Sequence, residues 1–173
     1  MAFRLEPLLA EVRRRSTGRH SQVHGERHWR TVGRNGLWLA RRTPGSDARV
    51  VLLFALLHDT MRVNDGWDPE HGPRAATFVE ELHAAALLGL DDRALALLSH
   101  ACRLHADGLT AHETSVGACW DADRLDLPRV GIEPAPNLLS TEAARTFVEP
   151  GGEPPPWEEL ADEVWPASPE AER

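Results

Sequence analysis

The stretch "VVLLFALLHDTMR", residues 50–62, decides the fold. Eight apolar residues run directly into His58 and Asp59. A segment that is apolar on every side is either a buried strand or a central helix. Val50 and Val51 suit a strand, but the neighbouring leucines and alanine, with Asp47 as an N-cap, favour a helix over 48–60. A carboxylate carried inward by such a helix is costly unless something offsets its charge. An imidazole beside it, with further His and Asp converging from other segments, makes a metal ion the natural offset.

The rest of the chain supplies helices to surround that segment. Leu5, Leu8, Leu9 and Val12 recur at helical spacing over 3–15, and a longer helix covers 22–42 before the turn-forming "TPGSD" at 43–47. The loop "VNDGWDPEHGP" at 63–73 leads into a helix over 73–89, which Pro73 can open. Asp91 caps a helix over 92–106, and another spans 114–127. From Pro128 the texture changes to an extended "PRVGIEPAP", a short helix in "TEAARTFV", and an acidic, proline-rich end. The reading is all-α: a helical domain over 1–149, with its motif-bearing part at 22–127, and a tail over 150–173. That tail is expected to be extended, with Trp157 and Trp165 pinning it to the body.

Bulk composition narrows the function classes. A hydrophobic fraction of 42% in 173 residues is enough for one cored domain, and no apolar run is long enough to span a bilayer. Two cysteines, Cys102 and Cys119, make no disulfide framework, so the expected location is the cytoplasm. A net charge of −8 argues against binding a nucleic-acid duplex. Arginines clustered between Arg13 and Arg34 are either solvated helix faces or a local positive field for a phosphorylated small molecule.

Several polar residues share a face with the core. His28 lies on a stripe with Val32, Asn35 and Leu39, and His24 stands one turn earlier. His105 follows Leu98, Ala101 and Cys102, whereas His100 is about 140° round the same helix. Asp123 shares a face with Val116, Cys119 and Trp120, while Asp121 points nearly opposite. His71, just before a helix start, can reach back towards the loop after Asp59. A single inward His is usually a hydrogen-bonded core residue; inward His and Asp on four separate helices are not easily explained that way. "HGERH" at 24–28 is not a zinc-protease HExxH motif, because its glutamate stands one place late.

Taken together, "HWRTV", "LLHDTMR", "EHGPRAA", "ACRLHADG" and "DADRLDL" resemble the HD superfamily of metal-dependent phosphohydrolases, from about residue 23 to 126. The closer resemblance is to the subset with two additional histidines, such as the HD-type hydrolases of dinucleoside polyphosphates. The resemblance implies a helical HD bundle in which His28, His58, Asp59 and Asp123 hold one divalent cation. It further implies that Asp59 bridges to a second cation completed by His71 and His105. Asp121 or Asp126 could orient ligands from behind, and both could equally be surface charges. Where the subset usually has lysine, this chain has Arg62, which keeps the charge and adds a bidentate fork for phosphate.

The implied chemistry is hydrolysis of a nucleotide or other small phosphoester by a hydroxide made available by two metals. Asp59 and Arg62 would be the catalytic residues, with Arg62, His24 and His100 as substrate contacts. Four imidazoles and two carboxylates favour iron, manganese, cobalt or nickel, admit zinc, and suit magnesium poorly. Two rivals share the ligand set: a di-iron oxygenase, and a metal-bound sensing or scaffolding domain without turnover. The substrate partner is a small phosphorylated molecule, without membrane contact, and a homodimer is one arrangement left open.

Overall fold

A computed structural model describes residues 5–152, 155–160 and 163–168, and among them it contains helices and no strand. The helices are α1 (Leu5–Arg15), α2 (Glu26–Arg42), α3 (Ala48–Leu57), α4 (His71–Ala84), α5 (Asp92–Leu104), α6 (Thr114–Arg124), α7 (Glu142–Val148) and α8 (Trp157–Leu160). Short 3-10 turns cover Leu127–Val130 and Pro136–Leu138. No helix among the described residues is long and apolar enough to cross a membrane.

The apolar run forms the central helix. In α3, Val50, Val51, Phe54, Ala55 and Leu57 have no exposed surface, because α2, α5 and α6 all pack against it. The Asp47 side chain accepts a hydrogen bond from the Arg49 backbone N–H at 2.8 Å, and so starts the helix as expected. Gly36 permits the close approach of α2 to α3: a Cβ there would lie 2.5 Å from Val51 Cγ1. α4 pairs with α5, and α2 also packs on α6, so α3 is enclosed by two helix pairs.

α4, α5 and α6 stop at Ala84, Leu104 and Arg124, short of the expected 89, 106 and 127, and three further helix ends differ in ways that matter to the polar cluster. α3 stops at Leu57 rather than at residue 60, since the Thr60 hydroxyl and backbone N–H both donate to the Leu57 carbonyl and close a tight turn. α2 begins at Glu26 rather than 22: the Ser21 hydroxyl accepts from the N–H groups of Val23 and His24, making a turn of that segment. α4 begins at His71, two residues before Pro73, which sits in the first turn where a missing N–H is harmless.

The expected tail falls partly outside the described residues, at 153–154, 161–162 and 169–173. Its described residues lie on α2. Val164 and Trp165 are buried, a Cβ on Gly33 would touch both, and Pro166 O accepts a hydrogen bond from Arg13. The Ser168 N–H donates to the buried Glu26 carboxylate, and Trp157 Nε1 donates to Asn35 Oδ1 at 2.9 Å.

Candidate metal centre

Asp59 is the point on which the site converges. Its side chain is 3% exposed, and its two oxygens face different neighbours. Oδ2 lies 3.7 Å from His28 Nε2 and 3.7 Å from His58 Nε2. Oδ1 lies 3.4 Å from His71 Nε2 and 3.5 Å from His105 Nε2. On the Oδ2 side Asp123 Oδ1 closes in, 3.3 Å from His28 Nε2 and 3.8 Å from His58 Nε2. The arrangement has two poles: His28, His58 and Asp123 about one Asp59 oxygen, His71 and His105 about the other.

Each imidazole is held by its far nitrogen. His58 Nδ1 faces the Phe54 and Ala55 carbonyls at 3.2 Å each, and its ring stacks on Phe54. His105 Nδ1 faces Cys102 O at 2.8 Å, and His71 Nδ1 faces Asp68 O at 2.5 Å. His28 Nδ1 faces Asp126 Oδ2 at 2.7 Å. An oxygen acceptor opposite Nδ1 assigns the proton to that nitrogen and leaves the Nε2 lone pair pointing inward.

Those lone pairs meet. His28 Nε2 and His58 Nε2 are 3.1 Å apart, and His71 Nε2 and His105 Nε2 are 2.8 Å apart. Neutral rings in this tautomer would repel at such distances, so each pole needs a positive species between its nitrogens, either a proton or a metal ion. Groups of three donor atoms lying within 4.8 Å of one another occur as His28–His58–Asp59, Asp59–His71–His105 and His58–His105–Asp123. Imidazole nitrogens with carboxylate oxygens, oriented through their distal nitrogens, form a donor set that could hold a metal ion.

The local fold explains the convergence. A Cβ on Gly72 would lie 2.6 Å from Arg103 O and 2.8 Å from Cys102 O, so only glycine lets the start of α4 meet the end of α5. That contact places His71 against His105. Asp68, anchored by Arg74 at 2.6 Å and by the Val63 N–H, aims its carbonyl at His71. Arg62 Nε donates to Asp59 Oδ1 at 2.9 Å, while its Nη2 stands 3.3 Å from His71 Nε2.

Electrostatics follow from this packing. Burial disfavours the Asp59 carboxylate, yet the imidazoles around it, His58 first, outweigh burial and hold its pKa well below the usual range. Asp123 is likewise lowered: burial opposes, and its hydrogen bond to His28 leads the lowering causes. Burial pushes His58 down to about 3. Burial also works against a charged His28, but hydrogen bonds to Asp123 and Asp126 prevail and raise it to about 9.

Among the residues singled out from sequence, His28, His58, Asp59, His71, His105 and Asp123 come together, with Arg62 beside them. His24 joins them, its Nδ1 3.0 Å from Asp59 Oδ2. Asp126 backs His28, as expected. Asp121 does not: it is fully buried on the opposite face of α6 and accepts from Ser140 N–H, Thr141 N–H and the Thr141 hydroxyl, where residues 139–141 cross the helix. His100 is exposed beside Trp120, its ring centroid 5.9 Å away, because five residues along α5 turn it from the His105 face. Two residues were missed. Asp68 is buried in the 63–70 loop, and Arg129 donates to the Val23 and Asp126 carbonyls with Nη2 3.4 Å from His24 Nδ1. The only sequence signals for them were an acidic residue between a loop and a helix start, and an arginine shortly after "DADRLD". Compared with known proteins, the chain matches no family model, no curated protein and no solved structure.

Proposed function

We propose that the protein is an HD-type, metal-dependent phosphohydrolase acting on a small phosphoester, with a nucleotide as the leading substrate class. The observation that carries the reading is Asp59, whose two oxygens each face a separate pair of imidazole nitrogens. His28, His58, Asp59 and Asp123 would hold one divalent cation, and Asp59, His71 and His105 a second. When bound, such ions supply Lewis acidity and a hydroxide nucleophile near neutral pH.

The chain's own residues then set orientation and charge. Arg62 is fixed through Nε on Asp59, and its Nη1 has only a 3.5 Å contact to Gly66 O, so one edge of its fork is left for a phosphoryl oxygen. Arg129 and His24 add donors on the Oδ2 side of Asp59. Asp123, with 20% of its side chain exposed against 3% or less for the other five ligands, marks the side from which solvent and substrate enter. A rim of two arginines and an imidazole suits an anionic substrate, which favours phosphoester hydrolysis over the di-iron oxygenase that the same ligands can serve.

The test is phosphate release from p-nitrophenyl phosphate and a nucleotide panel, run beside metal analysis and oxygen uptake on the protein as purified. Metal-dependent phosphate release that Asp59→Ala abolishes, with circular dichroism unchanged, is the expected result. Arg62→Met, at a site rim position, keeps the assay decisive if Asp59→Ala does not fold. Oxygen consumption without phosphate release, or bound metal with neither, overturns the proposal.

A further inference from the structure

We propose that a cleft along α2, running from His28 to Trp157, binds a phosphate ester whose other end is a planar ring of about nucleobase size. The cleft has two adjoining parts. The smaller, about 350 Å³, is lined by His28, Asp126, Arg27 and Arg129; the larger, about 700 Å³, by Arg34, Phe147 and Trp157. Thr31 and Asp126 line both, so the two parts lie side by side along α2. Each volume falls in the range of about 300–1,000 Å³ usual for small-molecule sites.

The charges in the cleft are cations with unused donors. Arg27, Thr31 and Arg34 follow one another on one face of α2 at helical spacing. The Arg27 side chain is exposed and forms no hydrogen bond or ion pair among the described residues. Arg34 donates only to Thr31 Oγ1, at 3.2 Å, and its Nε is buried with no hydrogen-bond partner. Of the two carboxylates present, Asp126 is already engaged by His28 and Arg129, which leaves Glu133 at the far part. Spare guanidinium donors on Arg27 and Arg34, either side of Thr31, call for an oxyanion there.

The other end is built for a ring. Phe147 and Trp157 meet edge to face with centroids 6.2 Å apart, and the Trp157 indole is fixed by its bond to Asn35. Trp157 is 37% exposed. A fixed, part-exposed indole beside Leu125, Val148 and three prolines offers a stacking wall that an aliphatic phosphate would not use. Orientation follows: phosphate over Thr31 between Arg27 and Arg34, ring against Trp157.

Neither part of the cleft is lined by Asp59, Arg62 or Asp123, so its binding is tested without turnover. The probe is the phosphonate analogue of AMP in which CH2 replaces the bridging 5′ oxygen, so that no scissile ester bond remains. Its affinity for the full chain as purified is measured calorimetrically beside that of methylphosphonate and of adenosine. The analogue should bind at least about tenfold more tightly than either fragment, and Trp157→Ala should cost about tenfold. Arg34→Ala and Arg27→Ala should each weaken the analogue while leaving adenosine unchanged; Arg27 is exposed, so that variant keeps the test valid if another fails to fold. An analogue that binds no better than methylphosphonate, or one indifferent to both arginines, overturns the proposal. If the analogue binds as expected while no ester is hydrolysed, the cleft stands and the hydrolase reading falls. Hydrolysis with no contribution from the cleft residues gives the reverse.

Discussion

Loading the metal-free protein with manganese should release protons, and their number follows from the hydrogen bonds. All four ligand imidazoles keep a proton on Nδ1 against an oxygen, so only protons on Nε2 are displaced. His58, pushed down to about 3 by burial, has none to give. His71 is also lowered, by burial first and then by His105. His28 is the opposite case. Burial disfavours its charge, but Asp123 and Asp126 raise it to about 9, so at pH 7 it is about 99% protonated. Removing that proton at pH 7 costs about 2.7 kcal/mol, which is drawn from the affinity of the first ion. One proton per chain should therefore leave with the first ion. His105 adds part of another with the second, its pKa raised by Asp59 against the effect of burial. Calorimetry in buffers of different ionisation enthalpy counts these protons. The apparent affinity should rise about tenfold per pH unit from 7 and level off near 9. The sign for the metal-free fold is reversed. A raised His28 pKa gives stability that is fully present below about pH 6.5 and is lost as pH rises through 9. Equal affinity at pH 6.5 and 8.5, with no proton release, would refute the assignment of a displaceable proton to His28 Nε2.

Three further outcomes separate the centre from its scaffold. Asp126→Ala should weaken metal binding about 10- to 100-fold by freeing His28 Nδ1. Asp121→Ala should leave metal content unchanged while lowering stability by about 1–3 kcal/mol in thermal or urea unfolding, since three donors at Ser140 and Thr141 lose their acceptor. On the two-ion reading proposed above, Gly72→Ala should reduce bound metal towards one ion. Its Cβ would meet backbone oxygens of α5 that cannot swing aside, so His71 is pushed from His105 while the His28 pole is undisturbed; unchanged stoichiometry would contradict this.

Much of this was legible in the sequence because helical periodicity reports direction. The stripe through Val32, Asn35 and Leu39 turned His28 inward, and the stripe through Leu98, Ala101 and Cys102 turned His105 inward. The same periodicity set Asp123 apart from Asp121. It could not say what Asp121 met instead, because that depends on residues 139–141 returning across α6, a contact far along the chain. Asp68 and Arg129 escaped for a similar reason. Neither lies within a periodic α-helix, and both act through backbone carbonyls, which every residue carries and no side-chain pattern reveals. Periodicity had already turned His100 about 140° away from His105, and the structure leaves it on the surface.

The placement of His58 and Asp59 after an apolar run now has a physical cause. The last carbonyls of a helix have no intrahelical partner. At the end of α3 the Phe54 carbonyl takes the backbone N–H of His58, and the Phe54 and Ala55 carbonyls also face its Nδ1. At the end of α5, Cys102 O does the same for His105. Each helix end thus uses its own spare oxygens to orient an imidazole, and residues just beyond the end escape the helical path. Asp59 needs that freedom. In the turn after Leu57 one of its oxygens faces the α2–α6 side and the other the α4–α5 side. The length of the apolar run determines where the turn falls, and hence where the two poles divide. Moving the turn by one residue would rotate Asp59 by about 100° and separate its oxygens from the imidazoles.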